Sequence, residues 1–184
     1  MEKRLDIGID IGKRRLALGW PYAKQSASID LNKPGIRSQE LSLLASWLRE
    51  TIPSINVRLW IETPYASHGK AGSQAGLDLS ETVGMIMAAA AWDQVTMVGQ
   101  STWKARVCGS GKLQKLEVAD WLAINHPDLF EKTMDDEDRI DAMCIGLYGK
   151  MRSEGLVLPP VKTPRKKRKV ANQDSNPSGP KNAS

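Results

Sequence analysis

Two carboxylates, Asp10 and Asp141, sit in surroundings that ordinary surface acids avoid, and a third, Asp138, is spaced to join them. Asp138 and Asp141, in DRIDAMCIG, are three residues apart within a helical repeat, so they neighbour each other on one face and can approach one cation together. Asp141 lies about 60° around that helix from the apolar Cys144, at the margin of the buried stripe. A carboxylate there is costly to desolvate unless a metal ion or a basic partner meets it. Asp10 interrupts a strand otherwise made of isoleucines and glycines, LDIGIDIG. Two divalent ions about 4 Å apart would supply what such a cluster needs, one activating water and the other stabilising the leaving oxygen in phosphodiester hydrolysis. Hard oxygen ligands, and only two histidines in the chain, favour magnesium or manganese over zinc. Each piece has a bland counterpart: GxDxG also opens phosphate-binding strands in ATPases, and DxxD on a helix is usually a solvated face. An actin-like ATPase would need further phosphate and adenosine motifs and a much longer chain.

The elements that must position these acids are legible from periodicity. Leu5, Ile7, Ile9 and Ile11 alternate strictly, the period of a half-buried strand, which puts Asp10 on the opposite face. After the basic turn Lys13-Arg14-Arg15, strands over Leu16 to Trp20 and Ala27 to Leu31 complete an antiparallel meander. Ser38 caps a helix to about Thr51, stopped by Pro53. NVRLWIE reads as a buried strand with Glu62 at its C-terminal end, followed by a small-residue loop from Tyr65 to Gln74 and a helix from about Ala75 to Trp92. Val95 to Val98 gives the last strand, and a short helix capped by Ser101 carries Trp103 and Lys104. Helices over Lys112 to Asn125 and about Asp135 to Met151 follow, the latter with an apolar stripe of Ile140, Met143, Cys144, Leu147 and Met151. This order predicts an α/β protein, a mixed five-stranded sheet with helices on both faces. The first strand is expected to be central, the strand ending at Glu62 beside it, and the last helix to cross their carboxylate-bearing ends.

The net charge of +5 suggests nucleic acid until its distribution is considered. Residues 161–184 hold seven Lys or Arg against one Asp, which leaves the body with nineteen against twenty. Any DNA-binding surface on the body must therefore be a local patch. The Pro-, Lys-, Asn- and Ser-rich composition predicts a disordered basic tail over 157–184 after a domain at 1–156. Within the tail, Pro164 to Val170 is similar to a nuclear localisation signal, or serves as an arm adding sequence-independent DNA affinity. Cys108 and Cys144 fall in different elements without CxxC spacing, so neither a disulfide framework nor a zinc site is expected. With no apolar run of membrane-spanning length and no signal peptide, the expected location is the cytoplasm of a bacterial or viral system, or the nucleus if source or host is eukaryotic.

With these motifs in place, the chain resembles the RuvC family of Holliday-junction resolvases over about residues 5–150. GIDIG with Gly19 nine residues beyond Asp10 looks like that family's opening motif, and IETPYASHGKAGSQAGLDLSETVGMI like its second block. Lys104 and Lys115, eleven apart in WKARVCGSGKLQK, match its two basic positions, and DRIDAMCIG has its closing DxxDA pattern. The resemblance implies an RNase H-like fold and a structure-specific endodeoxyribonuclease acting on four-way junctions or other branched DNA. Asp10, Glu62, Asp138 and Asp141 would be metal ligands for Mg2+, with Mn2+ able to substitute, two ions per site. Lys104 and Lys115 would contact phosphate or stabilise developing charge. It also implies a homodimer making paired nicks. Ile11 stands where the family usually has proline, and the Lys13-Arg14-Arg15 turn is similar to that of the related YqgF nucleases, which act on RNA.

Other residues carry two readings. Tyr65, His68 and Lys70 beyond Glu62 could stack on or touch opened DNA, or form a mobile polar loop. Arg14 and Arg15 could touch phosphate, or serve solubility. Trp103 and Lys112 are candidate DNA contacts, whereas Trp47, Trp60, Trp92 and Trp121 read as core and His126 as structural. Asp135 and Asp136 are alternatives to Asp138, or helix N-terminal charges. Against the resolvase stand two other functions: a YqgF-like RNA-processing nuclease, and a non-catalytic junction-binding protein of the same fold.

Overall fold

Isoleucine at every second position gives β1 (Leu5–Ile11) two unlike faces, and the rest of the molecule follows from that difference. The structure, a computed structural model, describes residues 5–12, 15–30, 37–52, 57–63, 74–89 and 94–156. On one face Ile7 and Ile9 are fully buried with Leu16, Leu18 and Trp20 of β2 (Arg15–Trp20) and Val57, Leu59 and Ile61 of β4 (Val57–Glu62). Leu48 of α1 (Arg37–Thr51), Ile52 and Ile86 of α2 (Gln74–Ala89) cover them. The other face carries Gly8, Asp10, Trp60 and Glu62, and α6 (Glu137–Ser153) lies across it. Trp60 packs there with residues of α3 (Gln100–Val107), α4 (Lys115–Asn125), α5 (Pro127–Thr133) and α6.

The sheet order is β3-β2-β1-β4-β5, with β3 at Gln25–Asp30 and β5 at Gln94–Val98. The β1–β2 and β2–β3 pairs are antiparallel, and the β1–β4 and β4–β5 pairs parallel. This is the mixed five-stranded α/β sheet with helices on both faces that the sequence predicts, with β1 central. Among the described residues no helix is long and apolar enough to cross a membrane.

Helix α6 touches the sheet through glycine. A Cβ on Gly8 would fall 2.1 Å from the Ala142 carbonyl oxygen and 2.2 Å from the Gly146 nitrogen, and one on Gly19 would fall 2.4 Å from the Met143 Cα. On the helix side, a Cβ on Gly149 would fall 2.2 Å from the Trp60 ring. Backbone therefore packs on backbone where α6 crosses β1 and β2. The C-terminal half of α6 is tied down by the buried Asp6, which accepts hydrogen bonds from Trp60 Nε1 (2.9 Å), Arg58 (3.0 Å) and the Ser153 hydroxyl (2.9 Å). Tyr22 adds to this end by donating to Glu154 at 2.8 Å while the Lys150 ammonium sits 4.7 Å from its ring centroid.

The N-terminal end of α6 is held by Asp136. Its Oδ1 accepts from the backbone N–H groups of Asp138 and Arg139, both at 3.1 Å, and its Oδ2 pairs with Arg15 of β2. Arg139 reaches across to the Ser28 hydroxyl at 3.0 Å. Asp136 is thus the N-cap of α6, and Asp135, with φ +55°, lies in the turn before it. Asp136→Ala removes both the cap and the partner of a half-buried arginine, for an expected loss of about 2 kcal/mol in thermal or urea unfolding. A loss below about 0.5 kcal/mol would show that the cap carries no weight.

Helix α5, which the periodicity does not anticipate, begins at Pro127 and is capped by Met134 in a left-handed conformation, φ +56°. His126 forms the junction between α4 and α5, its ring 5.5 Å from that of Trp121. Trp60 is buried and Trp47 and Trp121 half-buried, while Trp92 lies outside the described residues.

Candidate active site

Parallel pairing sets the first two acids side by side. Ile9 of β1 is in register with Ile61 of β4, and Asp10 and Glu62 are the next residue on each strand. Both lie on the face that α6 covers. Because Ala142 is pressed onto Gly8, Asp141 is delivered to the same region, buried at 4% exposure, with Asp138 one turn nearer the helix start and 30% exposed.

The four acids feel one another. Burial first, then the charges of Glu62, Asp141 and Asp138, push the Asp10 carboxyl up to about 8, against the opposing pull of Lys115. Burial also raises Asp141 to about 6, with Lys104 opposing and Glu62 and Asp138 adding to the rise. Glu62 is raised by burial against a hydrogen bond from Trp103 and the charges of Lys104 and Lys115. Two ammonium groups thus face four carboxylates, and the surplus negative charge sits in a region of low polarity.

The cations are placed unequally. Lys115, the first residue of α4, bridges Glu137 (3.2 Å) and Asp138 (3.3 Å) at the rim. Lys104 is buried, donates to the Leu113 carbonyl at 3.0 Å and stands 5.4 Å from the Trp103 ring centroid. Buried there, it is placed as a counter-charge to Asp141 and Glu62.

Trp103 departs from the expected DNA contact, and Arg15 is engaged within the protein. Trp103 has no exposed surface, and its indole N–H donates to Glu62 Oε2 at 2.7 Å, so it presents nothing to DNA. Arg15 pairs with Asp136, with Asp30 at 3.4 Å and with Ser28 at 2.8 Å, so its guanidinium ties β2 and β3 to the N-cap of α6. Lys112 is exposed in the turn before α4. Arg14, Tyr65, His68, Lys70 and the 157–184 tail with its Pro164 to Val170 run lie outside the described residues.

Against known proteins, no family description and no curated sequence matches the chain. Solved structures do. RuvC of Thermus thermophilus superposes with a TM-score of 0.58 at 15% identity, covering 83% of this chain and 97% of that one. T. thermophilus RuvC in complex with a Holliday junction substrate gives 0.60 at 18% identity, covering 84% and 98%. The chain has a RuvC-like fold.

Within that RuvC-like frame, the fit of a divalent ion rests on the donor set. Carboxylate oxygens on two strand ends and one helix face, with negative charge in excess, suit a hard cation such as magnesium or manganese. Among the described residues, no three His, Cys, Asp or Glu side chains stand closed into a ready ion cage. Glu62 leans on Trp103 and Asp138 on Lys115, so Asp138 must exchange an ammonium partner to serve a metal. Cys108 and Cys144, remote in sequence, are free thiols that hydrogen-bond to each other; this holds Cys108 below the ordinary thiol range and, with burial, Cys144 well above it.

Proposed function

We propose that this protein is a metal-dependent endodeoxyribonuclease that cuts branched DNA, four-way junctions above all, working as a homodimer. The observation that carries the reading is the buried Asp10 carboxyl, pushed up to about 8 by burial first and then by the charges of Glu62, Asp141 and Asp138, in a RuvC-like frame. Evolution of such a charge cluster without a function would be costly, because each buried carboxylate opposes folding. The four acids would hold magnesium or manganese ions, which supply an activated water and a stabilised leaving oxygen for phosphodiester hydrolysis. Asp10 and Glu62 are positioned by strand pairing, and Asp141 by the glycine contact of α6. Lys104 offsets the charge of Asp141 and Glu62, and Lys115 at the rim, with Lys112 exposed in the turn before α4, would meet the incoming phosphates.

The junction as substrate is supported by the T. thermophilus RuvC complex, whose ligand is a Holliday junction. The RNA reading drew on the basic turn after β1, and Arg15 of that turn is spent on Asp136 and Asp30. Glu62→Gln is the direct test. Magnesium-dependent nicking of a four-way junction is expected to fall on the order of a thousandfold, while junction affinity stays within about threefold. Retained cleavage would remove Glu62 from the mechanism, and cleavage of structured RNA alone by the wild-type protein would overturn the DNA assignment.

A further inference from the structure

Among the described residues Trp103 heads the fully buried side chains by size, yet it belongs to α3, the short helix that borders the acids. A buried indole N–H requires an acceptor, and here the acceptor is Glu62 Oε2 at 2.7 Å, a charge-assisted bond. The choice of side chain matters. An indole donates one hydrogen bond and accepts none, so it neither competes with Glu62 as a metal ligand nor takes its proton. It leaves Oε1, and the second lone pair of Oε2, for other partners. The ring is itself held in place by the core around Val107, Val118 and Leu122 and by the Lys104 ammonium 5.4 Å from its centroid.

We propose that Trp103 is a positioning residue for Glu62, fixing the carboxylate toward Asp10 and Asp141 and so setting the affinity of the site for a divalent ion. This rests on the reading of Glu62 as a metal ligand. Hydrogen-bond partners that orient ligands typically contribute ten- to a hundredfold in metal affinity. A merely structural tryptophan would affect folding without any link to Glu62.

The experiment is calorimetric titration of the full chain with Mn2+ alone, in a double-mutant cycle of Trp103→Phe and Glu62→Gln. Trp103→Phe is expected to weaken Mn2+ binding about tenfold in the wild-type background and less than about twofold when Glu62 is already Gln. Equal weakening in both backgrounds, or unchanged affinity in Trp103→Phe while Glu62→Gln loses binding, overturns the positioning role and leaves the nuclease reading standing. Unchanged affinity in Glu62→Gln itself brings down Glu62 as a ligand, and the proposal with it. Should Trp103→Phe not fold, the indole N–H resonance of Trp103 in 15N-labelled protein decides. It is expected to shift on Mg2+ addition in the wild type and to stay fixed in Glu62→Gln; a resonance that Mg2+ leaves unmoved in the wild type overturns the proposal.

Discussion

Asp10→Asn is expected to stabilise the metal-free protein at pH 8 and, under the proposed function, to cost it cleavage. The two effects have one origin. In the folded chain, burial and the charges of Glu62, Asp141 and Asp138 raise the Asp10 carboxyl from 3.8 to about 8. Below pH 4 the group is protonated in both folded and unfolded chains and contributes nothing. Between about 4 and 8 the folded state keeps a proton that the unfolded chain has lost, so stability declines as pH rises, and above 8 the full penalty is in place. Asn keeps the shape and deletes the charge, so the gain should be near zero at pH 4 and on the order of 5 kcal/mol at pH 8, roughly 15 °C in melting temperature. Magnesium should narrow the gap by stabilising only the wild type. Nicking should fall on the order of a thousandfold. Melting curves at the two pH values check the claim, and a variant no more stable than wild type at pH 8 contradicts it.

Gly8→Ala has the opposite sign and nearly as large an effect. The added methyl would lie 2.1 Å from the Ala142 carbonyl oxygen and 2.2 Å from the Gly146 nitrogen, backbone atoms that no rotamer change can move. Either α6 lifts from the sheet or β1 bends, and each costs at least about 3 kcal/mol in a packed interface. Lifting α6 also withdraws Asp141 from Asp10, so under the proposed function metal-dependent cleavage should vanish even in molecules that still fold. The same substitution at Gly84, exposed in α2 with nothing within 4 Å of the new methyl, should raise stability by roughly 0.5–1 kcal/mol through helix propensity. Unfolding titrations of the two variants side by side separate the effects. Equal shifts would mean that the close contact with α6 is not what Gly8 provides.

Periodicity carried much of this architecture. The alternation of Leu5, Ile7, Ile9 and Ile11 placed Asp10 on the face away from the isoleucines, and the stripe on α6 placed Asp141 at its edge, because both follow from one element's own repeat. Contacts between elements are not written that way. The burial of Trp103 depends on residues of α4 and α6 packing over α3, and from sequence it read as an exposed neighbour of a lysine. Asp6 gave no local sign that it meets Ser153, 147 positions away. The seven residues of α5 are too few for an apolar repeat to register, and a capping box of Gln114 and Glu117 starts α4 at Lys115, three residues after the start expected from periodicity.

Helix α6 is pinned at both ends, by Asp136 with Arg15 at one and by Asp6 with Ser153 at the other. Mechanically it is a beam on two supports with its middle seated on glycine, and its backbone cannot swing Asp138 and Asp141 out to meet a ligand. Under the proposed function the deformation falls to the nucleic acid. A phosphodiester must be brought down to the carboxylates, and a branch point, where base stacking is already interrupted, bends for less energy than a continuous duplex. The stiffness of one protein helix would then itself select for broken geometry in the substrate.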